Sequence, residues 1–183
     1  MIQVRKAQRP DARLLRQMIL EMGQHERLPV FATEKRLAED GFGVAPKFQV
    51  LIAEVEAAAA GYALFFDCYS SFQGPGIFLE DLFVRNEYRG KGVGRALLSR
   101  MAAKVVQRAY FGIMFNVLDW NQSALQFFES AGAVLSDRKI LCLAGPALRG
   151  IVKRESVNRN RAPNTTGDPD HGTICPGGKN ARN

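Results

Sequence analysis

Glu80 sits inside an otherwise apolar run, Ile77-Phe-Leu-Glu-Asp-Leu-Phe-Val84. A carboxylate among such neighbours is paired or put to use, and one use is to bind an ammonium group and take its proton. Asp81 follows directly. Strand alternation sends the two side chains to opposite faces, so at most one faces a given pocket, and Asp81 is read as structural. Next comes Arg85-Asn-Glu-Tyr-Arg-Gly-Lys-Gly-Val-Gly-Arg95, after which Val93, Leu97, Met101 and Val105 recur every fourth position as one helical stripe. Glycines at 90, 92 and 94 leave backbone amides open, and a helix N-terminus adds partial positive charge. The expected chemistry of this loop is to cradle a pyrophosphate.

Two familiar phosphate loops do not fit. A P-loop follows Gly-Lys with Ser or Thr, whereas Lys91 is followed by Gly92. A Rossmann fingerprint spaces its glycines G-x-G-x-x-G, and here the third glycine, Gly94, comes one place early. The pattern present is R-x-x-G-x-G, from Arg89 to Gly94. It resembles the acetyl-CoA loop of the GCN5-related N-acetyltransferase (GNAT) superfamily; a glycine-rich turn before a helix is the plainer alternative. Further stretches resemble the diamine branch of that family, which includes spermidine/spermine and thialysine acetyltransferases. They are Leu79 to Val84, Asp40-Gly-Phe-Gly43, Tyr69-Ser-Ser-Phe72 with Gly74, and Asn121 followed by Ala124, Phe127 and Gly132-Ala133. The resemblance runs from about residue 2 to 143, in the family's order.

What the resemblance implies is an enzyme moving an acetyl group from acetyl-CoA to a primary amine of a small cationic acceptor, such as a diamine, a polyamine or a basic amino acid. Backbone amides of Leu82, Phe83 and Val84 would pair with the pantetheine arm and the thioester oxygen. Arg89, Gly90, Lys91, Gly92, Val93, Gly94 and Arg95 would hold the pyrophosphate, and Asn121, Ser123 and Ala124 the far wall. The family places Glu80 at the amine. His25 and Glu26 match a position that helps bind a cationic acceptor, and Met114, Phe115 and Asn116 match other acceptor contacts. An alkylamine with a pKa near 10 is only about one part in a thousand neutral at pH 7, so a proton acceptor is needed. The plainer alternatives are Glu80 as partner of a core-edge arginine and Glu26 as a solvated helix-end carboxylate.

One position departs from the pattern. Where the family carries a tyrosine that protonates the leaving thiolate, this chain has Phe128, and Tyr62, Tyr69, Tyr88 and Tyr110 all lie elsewhere. A general acid contributes roughly a hundred- to ten-thousand-fold. Thiolate is nonetheless a tolerable leaving group, its thiol having a pKa of about 8.5. Phe128 therefore implies slow or acid-independent turnover. Two alternatives stand beside the small-amine enzyme: an acetyltransferase of a peptide or protein amine, and a catalytically degenerate acetyl-CoA binder. Dimers are common in this branch, so a homodimer is expected.

These residues need a scaffold. Strands are expected at Ile2–Arg5, Phe48–Glu54, Gly61–Phe66, Ile77–Val84, Gly112–Val117 and Ile140–Leu143. Helices are expected from Asp11 to Gln24, from a Thr33 cap through Ala38 with a stop at Gly41, after the glycine loop, and from Ser123 to Ala131. That order predicts an α/β fold, a GNAT-like mixed central sheet flanked by helices on both faces.

Composition bounds the rest. A chain of 183 residues, 46% hydrophobic, can form one packed domain, placed at 1–152. From Lys153 on, large apolar residues almost vanish and a disordered basic tail over 153–183 is expected. That tail holds six basic and three acidic residues, so +3 of the net +7 belongs to it and +4 to the rest. Arg85, Arg89, Lys91 and Arg95 account for part of the remainder and suit a phosphorylated ligand, which makes nucleic acid an unneeded partner. The run of about eighteen apolar residues that spans a membrane is absent, as is a signal h-region, so a cytoplasmic protein is expected. Cys68, Cys142 and Cys175, with His25 and His171, indicate neither a disulfide framework nor a metal site.

Overall fold

Five strands form one sheet in sequence order: β1 (Ile2–Lys6), β2 (Gln49–Val55), β3 (Ala58–Ser70), β4 (Gly74–Val84) and β5 (Ile113–Phe115). The computed structural model describes the backbone of residues 1–158, with one compact unit ending at Asn116 and a second beginning at Val117. The sheet belongs to the first unit. Neighbours from β1 to β4 run antiparallel, and β5 joins β4 in parallel.

Helices cover both faces, as expected. On one, α1 (Ala12–Glu26) and α2 (Glu34–Phe42) bring Leu15, Met18, Ile19 and Leu37 onto Val50, Ile52, Tyr62, Leu64 and Phe83. On the other, α3 (Val93–Gln107) buries Val93, Leu97 and Met101 and packs along β1 to β4. Burying such side chains contributes about 1.5–3 kcal/mol each. The Thr33 hydroxyl accepts the Arg36 N–H at 3.2 Å and caps α2. That helix runs one residue past Gly41 rather than stopping there. A Cβ at Gly41 would come within 2.5 Å of the Phe48 ring, so this glycine serves packing rather than termination. Gly61 answers a similar demand, since a Cβ there would lie 2.3 Å from the Phe83 carbonyl oxygen.

Two features of β4 shape the region around it. Its register against β3 steps from Phe65↔Leu79 to Leu64↔Asp81, which leaves Glu80 as a bulge residue. Strand β5 pairs only with Ile77, Phe78 and Leu79. Among the described residues, the second half of β4 has no strand on that side.

The second unit is helical: α4 (Gln122–Ser130) and α5 (Pro146–Asn158). The strand expected at Ile140–Leu143 is absent, and Ile140, Leu141 and Leu143 are exposed. A strand needs a hydrogen-bonding neighbour, and no described strand provides one. Helix α5 crosses the 152/153 boundary where the tail was expected to begin, and residues 159–183 lie outside the described residues. Cys68 is a free thiol and Cys142 is disulfide-bonded.

Candidate active site

The glycine loop leaves β4 through a single turn (Asn86–Tyr88) and enters α3 at Gly92, its N-cap. Gly90 and Gly92 have φ of +73° and +87°, in the left-handed region where a side chain is strained. A Cβ added at Gly90 would meet nothing within 4 Å. The space above that backbone is open, as an anion cradle requires. Arg89, Lys91 and Arg95 are exposed around it. Arg89 also turns back to donate from Nε to the Val84 carbonyl at 3.0 Å, which ties the loop to the strand end.

Arg85 does something else. Its guanidinium grips Glu21 through Nε and Nη2 at 2.8 and 2.9 Å and donates to the Ala59 carbonyl at 2.9 Å. The expectation that Arg85 contributes ligand-facing charge is therefore corrected: it fastens α1 to the start of the loop. The fork of an arginine suits this bidentate work, and a lysine would not reproduce it.

On the strand, the Arg85 N–H donates to Ala60 on β3. Alternation then directs the N–H groups of Phe83 and Asp81 toward β3 and those of Leu82 and Val84 toward the open side. Of the three backbone residues singled out from the sequence, Leu82 and Val84 thus present donors to a ligand. Phe83 turns its amide to β3 and its ring into the core.

Carboxylates gather where α1 ends beside β4. Asp81 accepts a hydrogen bond from the Tyr62 hydroxyl at 3.0 Å, and that hydroxyl also lies 3.6 Å from the Met22 sulfur. Burial, then the nearby charges of Glu80 and Glu26, push the Asp81 carboxyl up to about 7, while the Tyr62 hydrogen bond opposes the rise. Burial raises Glu26 as well. Tyr62 is raised well above its ordinary value by burial and by Asp81. Glu80 is exposed, and no arginine pairs with it among the described residues. His25 is lowered by burial and by the positive charge of Arg89, so α1 ends next to the loop. A cleft of about 180 Å³ between them is lined by Glu21, Gln24, His25, Phe83, Arg85, Asn86 and Glu87.

The sequence singled out Glu26, His25, Glu80 and the loop, and all belong to this one region. It missed Tyr62 and the strength of the Asp81 environment. A phenol inside Ala58-Ala-Ala-Gly-Tyr-Ala-Leu-Phe65 was the available signal, since a buried tyrosine hydroxyl finds a partner. Asn116, exposed just past β5, ends the same unit. Asn121, Ser123, Ala124 and Phe128 belong to the second unit. There the Asn121 side-chain oxygen caps α4, accepting the Ala124 N–H at 3.2 Å and the Ser123 hydroxyl at 3.0 Å. Phe128 is buried edge-on to Phe127, with ring centres 5.0 Å apart. No group of three or more potential metal ligands occurs among the described residues.

Comparisons with known proteins place this arrangement. The profile of the Acetyltransferase (GNAT) family matches residues 16–133. The thialysine N-epsilon-acetyltransferase of Bos taurus is 32% identical over 142 residues, covering 72% of this chain and 84% of that protein. An L-ornithine N5-acetyltransferase of Arabidopsis thaliana is 39% identical over 100 residues, covering 54% of this chain and 44% of the other. In fold, the chain is similar to AAC(6')-Iy in complex with the bisubstrate analog CoA-S-monomethyl-acetylneamine, with a TM-score of 0.65, 18% identity, and 79% and 99% of the two chains covered. With the glycine cradle, the half-paired strand β4 and a family match spanning most of the chain, the protein belongs to the GNAT acetyltransferase family.

Proposed function

We propose that the protein is an acetyl-CoA-dependent N-acetyltransferase acting on a primary amine of a small cationic acceptor: a diamine, a polyamine or a basic amino acid. The observation that carries this reading is the group of carboxylates, Glu26, Glu80 and Asp81, gathered in the same unit as the loop. Such a group suits an acceptor with more than one ammonium. Relatives that act on thialysine and ornithine support the same acceptor class.

The residues fit acetyl-CoA. The open space above Gly90 leaves room for its pyrophosphate against the backbone, with Arg89, Lys91 and Arg95 exposed nearby as counter-charge. Leu82 and Val84 aim N–H groups where an amide-bearing arm or a developing oxyanion can accept them, already oriented and so needing no reorganisation. When bound, acetyl-CoA supplies an acetyl thioester open to attack by a neutral amine. The chain's own work is to hold the ammonium between Glu26 and Glu80, to accept its proton on a carboxylate, and to orient backbone donors. No step requires a metal. A homodimer belongs to the same reading and is checked by light scattering.

Phe128 favours a second reading, an acetyl-CoA binder without meaningful turnover, because it has no proton to give. Free-thiol release from acetyl-CoA, measured with diamines, polyamines, thialysine, ornithine and lysine, separates the two. Release that depends on one of these amines, and rises in Phe128→Tyr by up to about a hundredfold, establishes the enzyme. Saturable acetyl-CoA binding with no release from either protein establishes the binder. Release only with a peptide amine moves the acceptor to proteins.

A further inference from the structure

Tyr62 stands in the middle of β3 with no exposed surface, yet its hydroxyl is aimed at one oxygen of Asp81, 3.0 Å away. No hydrogen bond joins the other carboxyl oxygen, Oδ1, to a described residue, and Asp81 itself is half-buried rather than sealed. One oxygen is therefore anchored, while the residue keeps part of its surface. The bulge at Glu80 sets this up. By adding one residue to β4, it returns Asp81 to the face that carries Phe83 and α1, while Glu80 stays exposed. The titratable groups that act on Asp81 come from three elements: Tyr62 on β3, Glu26 on α1 and Glu80 on β4.

We propose that Asp81, held in place by the Tyr62 phenol, is the group that takes the proton from the acceptor ammonium, with Glu80 and Glu26 supplying the binding charge around it. The proposal rests on the amine-acetyltransferase reading and names the member of the carboxylate group that does the proton chemistry, in place of Glu80. A lysine-like ammonium would give its proton to an ordinary glutamate at a disadvantage of about a millionfold. With the Asp81 carboxyl raised to about 7, that disadvantage falls to roughly a thousandfold. In the step, the carboxylate of Asp81 becomes a carboxylic acid and the nitrogen regains its lone pair. The new C–N bond forms as the C–S bond breaks, and the second proton lost by nitrogen balances the departing thiolate. Tyr62 keeps its own proton throughout and acts as a positioning residue.

The test compares wild type, Asp81→Asn, Tyr62→Phe and Glu80→Gln by kcat/KM against pH with a diamine and with thialysine. Beside it, carboxyl-carbon NMR titration of the unliganded proteins and acetyl-CoA binding report independently of turnover. Asp81→Asn is expected to lower kcat by about a hundredfold or more while binding acetyl-CoA as wild type does. It should also remove the carboxyl signal that titrates near 7. Tyr62→Phe should move that midpoint, and the acidic limb of kcat/KM with it, to higher pH, because the lost hydrogen bond had favoured the carboxylate. Glu80→Gln should raise KM and keep the limb, moved to lower pH, because the Glu80 charge had helped raise the Asp81 carboxyl. An Asp81→Asn protein that keeps kcat within about threefold of wild type overturns the proposal alone, as does a limb that vanishes in Glu80→Gln. Failure of wild type to acetylate any amine overturns the parent reading, and the proposal with it.

Discussion

The glycine loop and the carboxylate group belong to one unit and carry opposite electrostatic tasks by opposite means. The loop meets an anion with backbone: Gly90 and Gly92 adopt positive φ, and the flanking Arg89, Lys91 and Arg95 stay exposed. It is built from consecutive residues whose charged side chains reach out into water. The carboxylate group meets a cation with side chains drawn from α1, β3 and β4. Burial raises both Asp81 and Glu26, and the charges of Glu80 and Glu26 add to the rise at Asp81. A local motif delivers shape, whereas a convergent cluster delivers a tuned pKa.

Four changes would break or sharpen this contrast. Gly92→Val puts a β-branched side chain at φ +87°, a strain of roughly 1–3 kcal/mol. It should weaken acetyl-CoA binding by about tenfold or more by calorimetry, while the acceptor-side groups still titrate as before. Binding equal to wild type would mean the loop is only a turn. The double change Glu26→Gln with Glu80→Gln should raise KM for a diamine by about tenfold and for a monoamine by less, one ion pair in water-exposed surroundings being worth up to about 1 kcal/mol. Acetyl-CoA affinity should hold; a parallel loss would show that the two regions are not separable.

The third concerns stability against pH. Because folding raises the Asp81 carboxyl from 3.8 to about 7, the native state holds that proton more tightly than the unfolded chain. Its contribution is therefore fully present below about pH 4 and is lost as pH climbs to about 7. Asp81→Asn cannot titrate, so its urea midpoint should gain on that of wild type across this window. The gain should be a few kcal/mol, up to about 4, at about 1.4 kcal/mol for each pH unit between the two values. A constant gap between the two proteins would place the carboxyl in an ordinary environment. The smallest effect is expected outside both regions. Thr33→Ala loses the cap of α2 and should cost roughly 0.5–1 kcal/mol in urea unfolding with kinetics unchanged.

Much of the fold was legible from periodicity. Leu15, Met18, Ile19 and Met22 mark α1, Val93, Leu97 and Met101 mark α3, and the apolar runs mark β2 to β4, each within a few residues of the observed ends. Periodicity failed where pairing decides. Ile140–Leu143 has a strand's composition but no neighbour, and Gly41 looked like a stop until the Phe48 ring explained it. The bulge at Glu80 was also invisible. Simple alternation put Glu80 and Asp81 on opposite faces, and the family resemblance, not the alternation, chose Glu80 for the pocket. The inserted residue changes that count, because register is a property of two strands and not of one.

The sequence alone determined what depends on neighbours along the chain: helix stripes, the R-x-x-G-x-G loop with its bare glycines, the carboxylates at 26 and 80, and the absence of a phenol at 128. Only the tertiary structure decided what depends on residues far apart meeting. Tyr62 reaches Asp81 nineteen positions away, Arg85 closes on Glu21 sixty-four positions away, and β5 leaves the second half of β4 open. The reason is physical. Backbone conformation is a local property, but desolvation and charge–charge energy depend on distance in space, and that distance exists only once the sheet has formed.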